Sequence, residues 1–185
     1  MDRPGDIWRR FPGWPEPVLV LSSENQGVCS WGVQLGDHNG EVLVGGYLFD
    51  AGQATVRYAG SVEDFIAARL WDCACLSAPL LQAQGAALDQ ASLDYLAARL
   101  AFVGTTTGWP GTRQYRFEGQ DVRVLLWASS RHCDWFISAP GEPSLKAFAA
   151  GLLNLSNLRR FLYSDDDAGA RVLDELRGAH PHDQR

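Results

Sequence analysis

The sequence predicts an α+β fold in which two antiparallel β-meanders are packed with helices. Strand-like segments follow one another through turns too short for crossover helices, which favours antiparallel pairing. Each run of strands then leads into segments with apolar residues at helical spacing. The chain has 185 residues, of which 46% are hydrophobic, so it is long and apolar enough to form an ordinary core.

The first half of the chain is predicted to hold the first meander and one helix. Residues 1–17 carry four prolines among aromatic residues, which excludes a long helix and leaves one turn near residues 7–11. Ser61 can cap a helix start, with Asp64 three residues further on, so we predict a helix over residues 61–76. The strands predicted before it are 18–22, 27–35, 41–48 and 53–58.

The second half is predicted to hold a further helix, the second meander and the last helices. We predict a helix over residues 89–102 from the spacing of its leucines and alanines, and a loop over residues 104–111 from its glycines. Residues 79–85 are read as an interruption between Pro79 and Gly85. The remaining predicted elements are strands 113–117, 122–127 and 134–138 and helices 144–155 and 168–177, with a short piece to residue 163 between them.

We expect a single domain over residues 1–178, followed by a flexible tail at 179–185. A two-part plan, with residues 1–78 and 86–178 as its parts, is the alternative. Four cysteines are too few and too unevenly spaced for a disulfide scaffold. No signal peptide and no apolar segment of membrane-spanning length is recognisable, so we expect a cytoplasmic protein with reduced thiols and no membrane partner.

The net charge of the chain indicates which classes of partner it can bind. Sixteen basic and 22 acidic residues give a net charge of −6, which argues against binding to DNA or RNA. The same balance is compatible with a basic protein partner.

No motif in the sequence indicates catalysis. The thiols of Cys73 and Cys75 are spaced too closely for a usual zinc knuckle. His132 and Cys133 are adjacent, and neighbouring residues in a turn seldom reach the geometry of a thiol–base pair. We therefore expect no enzyme activity, no catalytic residue, no metal and no cofactor. A small hydrolase or transferase that uses Cys133 and His132 is the alternative.

The most distinctive segment is the run Glu24-Asn25-Gln26-Gly27, followed by Trp31 in the next strand. Its residues suit a tight turn that leads into a strand, with the Trp31 ring in the core. Together with residues 14–21, strand 41–45 and the helix start at 61–66, this segment resembles the SMI1/KNR4 family, also called the SUKH superfamily. The resemblance covers about residues 14–76.

The resemblance implies an α+β fold around a bent sheet and a non-enzymatic, protein-binding role. Many bacterial members of the superfamily are immunity proteins that neutralise toxins, often nucleases, so the partner it implies is a cognate toxin. An intracellular scaffold or regulator without a toxin partner is a further alternative, and the oligomeric state stays open. The carboxylates that we select as a candidate partner-binding surface are Glu41, Asp50, Glu63, Asp64, Glu118, Asp121 and Asp134.

Overall fold

The computed structural model describes residues 8–9, 18–24, 29–38, 40–45, 55–155 and 157–178. Its strands, numbered in chain order, are β1 (Trp8–Arg9), β2 (Val18–Ser23), β3 (Ser30–Gln34), β4 (Val42–Gly45), β5 (Val56–Ala59), β6 (Leu80–Ala86), β7 (Ala101–Thr107), β8 (Arg113–Glu118), β9 (Arg123–Ala128), β10 (Cys133–Ser138) and β11 (Leu162–Tyr163). Its helices are α1 (Val62–Leu76), α2 (Gln90–Ala97), α3 (Glu142–Leu152) and α4 (Asp167–Gly178).

These elements confirm the predicted α+β class with antiparallel sheets, because the described strands form two sheets in which the paired neighbours run antiparallel. Close contacts divide the chain into two compact units. The first comprises Met1–Leu70 and Thr106–Trp109, and the second Trp71–Thr105 and Pro110–Arg185. The single domain over residues 1–178 stays a prediction, and the predicted tail at 179–185 lies outside the described residues.

The first unit contains a sheet whose strands lie in chain order from β1 to β5. Its core is aromatic. Trp31, Tyr58 and Phe65 are each at most 5% exposed, and the Tyr58 ring meets the other two rings edge-on at centroid distances of 5.8 Å. Such edge-to-face contacts add to the free energy gained from burial alone. This cluster joins the sheet to the first half of α1.

Gly108 is required by its position in the first unit. Its φ of +94° lies in the left-handed region, and a Cβ at this position would overlap the side chain of Val44. Val44 is itself buried in the aromatic cluster. Glycine therefore lets the backbone lie directly against the core.

The second unit contains a sheet in the order β11-β6-β10-β9-β8-β7. One face packs against helices α2, α3 and α4, and Leu126, Trp135 and Ile137 are fully buried there. The other face holds a smaller cluster around Leu125 and Phe136, joined by side chains from the end of α1. Because both faces are covered, the central strands carry apolar side chains on both sides.

Strand β6 corrects the predicted interruption at residues 79–85. Opposite Cys133 and Trp135 the strand accommodates an extra residue, because Cys133 pairs with Ala86 and Trp135 with Ala83. Gly85 has a φ of +72° at this bulge, and its N–H donates a hydrogen bond of 3.0 Å to Asp134 Oδ1. A glycine in the left-handed region at a bulge interrupts the alternation of a strand without ending it. The alternation of apolar and polar residues therefore did not predict β6.

Strand β7 corrects two further predictions. The predicted helix over 89–102 ends at Ala97, although Asp89 caps its start by accepting a hydrogen bond of 2.8 Å from the Ser92 N–H. The predicted loop over 104–111 begins instead within β7. Phenylalanine, valine and three consecutive threonines favour an extended strand, and this preference prevails over the helical spacing upstream.

Near the N-terminus, Trp8–Arg9 pair with β2 as a strand, in place of the helical turn expected near residues 7–11. Residues 46–54, which include parts of two predicted strands, lie outside the described residues.

We predict that Trp31→Ala lowers the free energy of unfolding by about 3–5 kcal/mol, because it removes a large ring that is 2% exposed from a packed cluster. Denaturant unfolding followed by circular dichroism measures this loss. Phe161→Ala is the control, because Phe161 is 40% exposed and its removal leaves no cavity. A midpoint that barely moves for Trp31→Ala would show that the ring does not support the first unit.

Candidate interaction surface

Helix α1 begins with an exposed acidic turn. The Ser61 hydroxyl oxygen accepts a hydrogen bond of 3.0 Å from the Asp64 N–H, which satisfies one of the free donors at the helix start. Glu63 and Asp64 lie in this first turn and are exposed. Their negative charges also interact favourably with the positive end of the helix dipole. The acidic turn is therefore stable and accessible.

The inner side of α1 is fixed by buried contacts. Phe65 packs against Tyr58 in the first unit. Asp72, two turns later, is 6% exposed, and both its carboxylate oxygens accept hydrogen bonds from the Arg116 guanidinium at 2.8 and 2.9 Å. Cys75 follows on the same side and is fully buried. These positions, spaced by seven and three residues, define one helix face.

The opposite side of α1 carries large apolar residues in contact with solvent. Ile66 is 50% exposed and Leu70, one turn later, is 66% exposed. Ala67 lies between them and is also exposed. We define the α1 outer patch as Glu63, Asp64, Ile66, Ala67 and Leu70. An apolar surface bordered by charge is typical of a protein-binding site.

Glu41, a third carboxylate selected in the first unit, forms an ion pair. Glu41 lies 3.1 Å from the Arg57 guanidinium, with about a third of its side chain exposed. Asp50 lies outside the described residues. Of the four carboxylates selected in this unit, Glu63 and Asp64 are the two that lie exposed in the first turn of α1.

Glu118 in the second unit has a structural role. Its carboxylate accepts hydrogen bonds from the Trp71 indole at 2.9 Å and from the Arg123 guanidinium at 2.8 Å. The hydrogen bond from Trp71 is the main reason why the pKa of Glu118 lies below its ordinary value, and Arg123 lowers it further. Both donors are satisfied by this carboxylate, so Glu118 ties α1 to the sheet.

Asp121 and Asp134 lie at opposite ends of the second meander. Asp121 is exposed in the turn between β8 and β9, next to the Glu118–Arg123 pair. Asp134 opposes Trp127 near the far end of β9, where it accepts the N–H of the Gly85 bulge. The carboxylates selected in the second unit therefore do not form one surface.

The distinctive run before β3 closes a backbone loop. The Glu24 N–H donates a hydrogen bond of 3.0 Å to the Cys29 carbonyl oxygen, and Asn25, Gln26 and Gly27 lie outside the described residues. Trp31 follows in β3, with the Arg69 guanidinium 5.0 Å from its ring centre. A cation over an indole face is a favourable arrangement. Glu24 and Trp31, which the structure describes, therefore have structural roles.

The alternative chemistry at Cys133 meets an unfavourable environment. The Cys133 side chain is fully buried, and burial together with the charge of Asp134 raises its pKa to about 12. His132 is exposed, and its Nδ1 lies 3.1 Å from the Ser129 hydroxyl oxygen. A thiol with this pKa is protonated at neutral pH and is a poor nucleophile. Cys75 is also buried, with a pKa raised to about 11 by burial.

Two shallow clefts flank the turn between β8 and β9. One, of about 210 Å³, is lined by Glu118, Arg123 and Ser138 among others. The other, of about 340 Å³, is lined by Tyr95, Arg99 and neighbouring residues. Ligand pockets usually span about 300–1,000 Å³ and are largely enclosed.

Among the residues that the structure describes, no group of three or more His, Cys, Asp or Glu could hold a metal ion.

Sequence reasoning missed Ile66 and Leu70 as surface residues. It predicted the helix over residues 61–76 without separating its faces, although Phe65 and Ile66 are adjacent and point to different sides of a helix. The position of Asp72 was the available signal. A carboxylate on the same side of the helix as Phe65 indicates that this side is not purely apolar, so apolar residues on the other side need not be buried. Its buried partner Arg116 is 44 residues away in sequence.

No helix in the described ranges is both long enough and apolar enough to cross a bilayer. Comparison of the chain with protein families, curated proteins and solved structures finds no significant match.

We predict that Cys133→Ser leaves the biological activity of the chain unchanged, because a buried, protonated thiol supplies no nucleophile. His132→Ala should have the same outcome. Activity is read as protection in the co-expression assay described below, with circular dichroism to verify folding. A well-folded Cys133→Ser protein without activity would contradict the non-enzymatic interpretation.

Proposed function

We propose that this chain is a non-enzymatic protein-binding module, specifically an immunity protein that acts in the cytoplasm by binding and neutralising a toxin. The observation that carries the proposal is the α1 outer patch, where Ile66 and Leu70 are exposed beside Glu63 and Asp64. The resemblance to the SMI1/KNR4 family supports the choice of a toxin as the partner. The environment of Cys133 counts against the catalytic alternative.

The chemistry of the α1 outer patch specifies its partner. Two exposed aliphatic side chains require an apolar depression on the partner, where they lose contact with water. Two carboxylates at one end require a basic border. A nuclease toxin presents basic residues around its substrate cleft, because it must bind phosphate. The proposal therefore places the patch at or beside that cleft, and the chain itself is not expected to bind nucleic acid.

The patch predicts distinct kinetic effects for its apolar and acidic residues. Leu70→Asp should weaken binding about tenfold or more, mainly through faster dissociation, because a charge replaces a buried anchor. Glu63→Lys should slow association, with an effect that fades as salt shortens the screening length to about 8 Å. Surface plasmon resonance across a salt series measures both effects, with a toxic domain sought among the neighbouring genes as the ligand.

Two control variants make the same chemical changes elsewhere. Phe161→Asp introduces a carboxylate at another exposed apolar residue, and Asp174→Lys reverses an exposed charge on α4. Both should bind as the unchanged chain does. Equal losses in the control and patch variants would contradict the assignment of the patch. An association rate that ignores salt would contradict the role of the acidic turn.

Co-expression separates an immunity role from that of a regulator without a toxin. Induction of the toxic domain alone should stop growth, and co-expression of this chain should restore it. Leu70→Asp should lose the protection while Phe161→Asp keeps it. Binding to a partner without any restored growth would contradict the immunity role and leave a scaffold or regulator. Tight binding of the isolated chain to DNA or RNA at physiological salt would contradict the proposal as a whole.

A further inference from the structure

The two sheets end in edge strands of very different character. Among the described residues, β1 and β11 are two residues long, and β5 is four residues long with the exposed Arg57 in it. Short length and charge are the usual ways in which proteins prevent edge strands from pairing with another chain. Strand β7, at the remaining edge, has neither protection. It is seven residues long.

The sequence of β7, Ala-Phe-Val-Gly-Thr-Thr-Thr, contains no charge and no proline. Phe102 is 57% exposed and Val103 is 49% exposed, although both are large apolar residues. Residues 101–105 of β7 belong to the second unit. An exposed, neutral edge of this kind is suited to hydrogen bonding with a further strand.

The edge is complementary to itself. The Phe102 ring lies 5.6 Å from that of Phe117 on the neighbouring strand, so it projects on the face that carries Phe117. Gly104, two residues further along, lies on the same face, and a Cβ there would meet no atom within 4 Å. An aromatic ring is therefore followed on one face by an unfilled position. Rings that cover glycines on a neighbouring strand stabilise sheets.

We propose that two copies of this chain associate through antiparallel pairing of β7, centred on Val103. This register places the Phe102 ring of each copy opposite Gly104 of the other, and Ala101 opposite Thr105. The contact joins the two sheets of the second units across a two-fold axis. Each copy carries a net charge of −6, and pairing through β7 brings no charged side chain of this strand into the contact. Pairing through the α1 outer patch would instead bring Glu63 and Asp64 close to their copies.

Sedimentation velocity over a wide concentration series tests the association. We expect a concentration-dependent species of twice the chain mass of 20.3 kDa. Val103→Lys should raise the dissociation constant about tenfold or more, because two like charges meet on the axis. Val103→Thr is the matched control, since it keeps a β-branched side chain without charge, and it should still dimerise. A monomer at every concentration would overturn the proposal, as would equal dimerisation of Val103→Lys.

Oxidative crosslinking tests the register. In a Cys73→Ser background, which removes the exposed thiol, the other three cysteines are buried. Val103→Cys should then form a disulfide-linked dimer, because directly opposite residues lie about 4.5–5.5 Å apart between Cα atoms. Ala101→Cys should not, because its copy lies four residues away along the partner strand. Efficient crosslinking through Ala101→Cys, or none through Val103→Cys, would overturn the proposed register.

Discussion

The bidentate ion pair between Arg116 and Asp72 fixes the orientation of α1 about its own axis. Both side chains are less than a tenth exposed, and the guanidinium meets the two carboxylate oxygens with two parallel hydrogen bonds. Removing two charges from water is costly, and such a pair is tolerated only where its geometry is this favourable. Loss of either partner would leave a buried charge. Rotation of the helix is therefore strongly opposed.

Helix geometry relates the buried and the exposed residues of α1. Phe65 and Asp72, seven residues apart, lie on one side of the helix and Ile66 and Leu70 lie on the other, because a helix turns by about 100° per residue. A helix with apolar residues on both sides cannot bury all of them against one sheet. The exposed ones form the apolar part of the proposed binding surface, and the acidic turn at the helix start makes a basic partner complementary to this surface. The α1 outer patch is thus the exposed side of a helix whose other side holds Phe65 and Asp72.

The sequence predicted those parts of the fold that depend on local signals. Ser61 marked the start of α1, the spacing of leucines and alanines predicted the helix that contains α2, and the second meander was found from its short turns. The bulge at Gly85 was missed because it depends on Asp134, which is 49 residues away in sequence. Strand β7 was missed because the helical spacing upstream was extended over its first residues. The same limit applies to the site. Asp72 could not be recognised as buried without Arg116, and Asp134 was counted as a surface carboxylate although it supports the bulge.

Hydroxyl-radical footprinting of the chain, alone and in complex with the proposed toxin partner, tests the role of the α1 outer patch most directly. Ile66 and Leu70 react as free side chains because they are 50% and 66% exposed. Phe161, which lies outside the patch, is the internal reference. The account predicts that the complex strongly reduces labelling of Ile66 and Leu70 and leaves that of Phe161 unchanged. Equal labelling of Ile66 and Leu70 in the free chain and in the complex would contradict it.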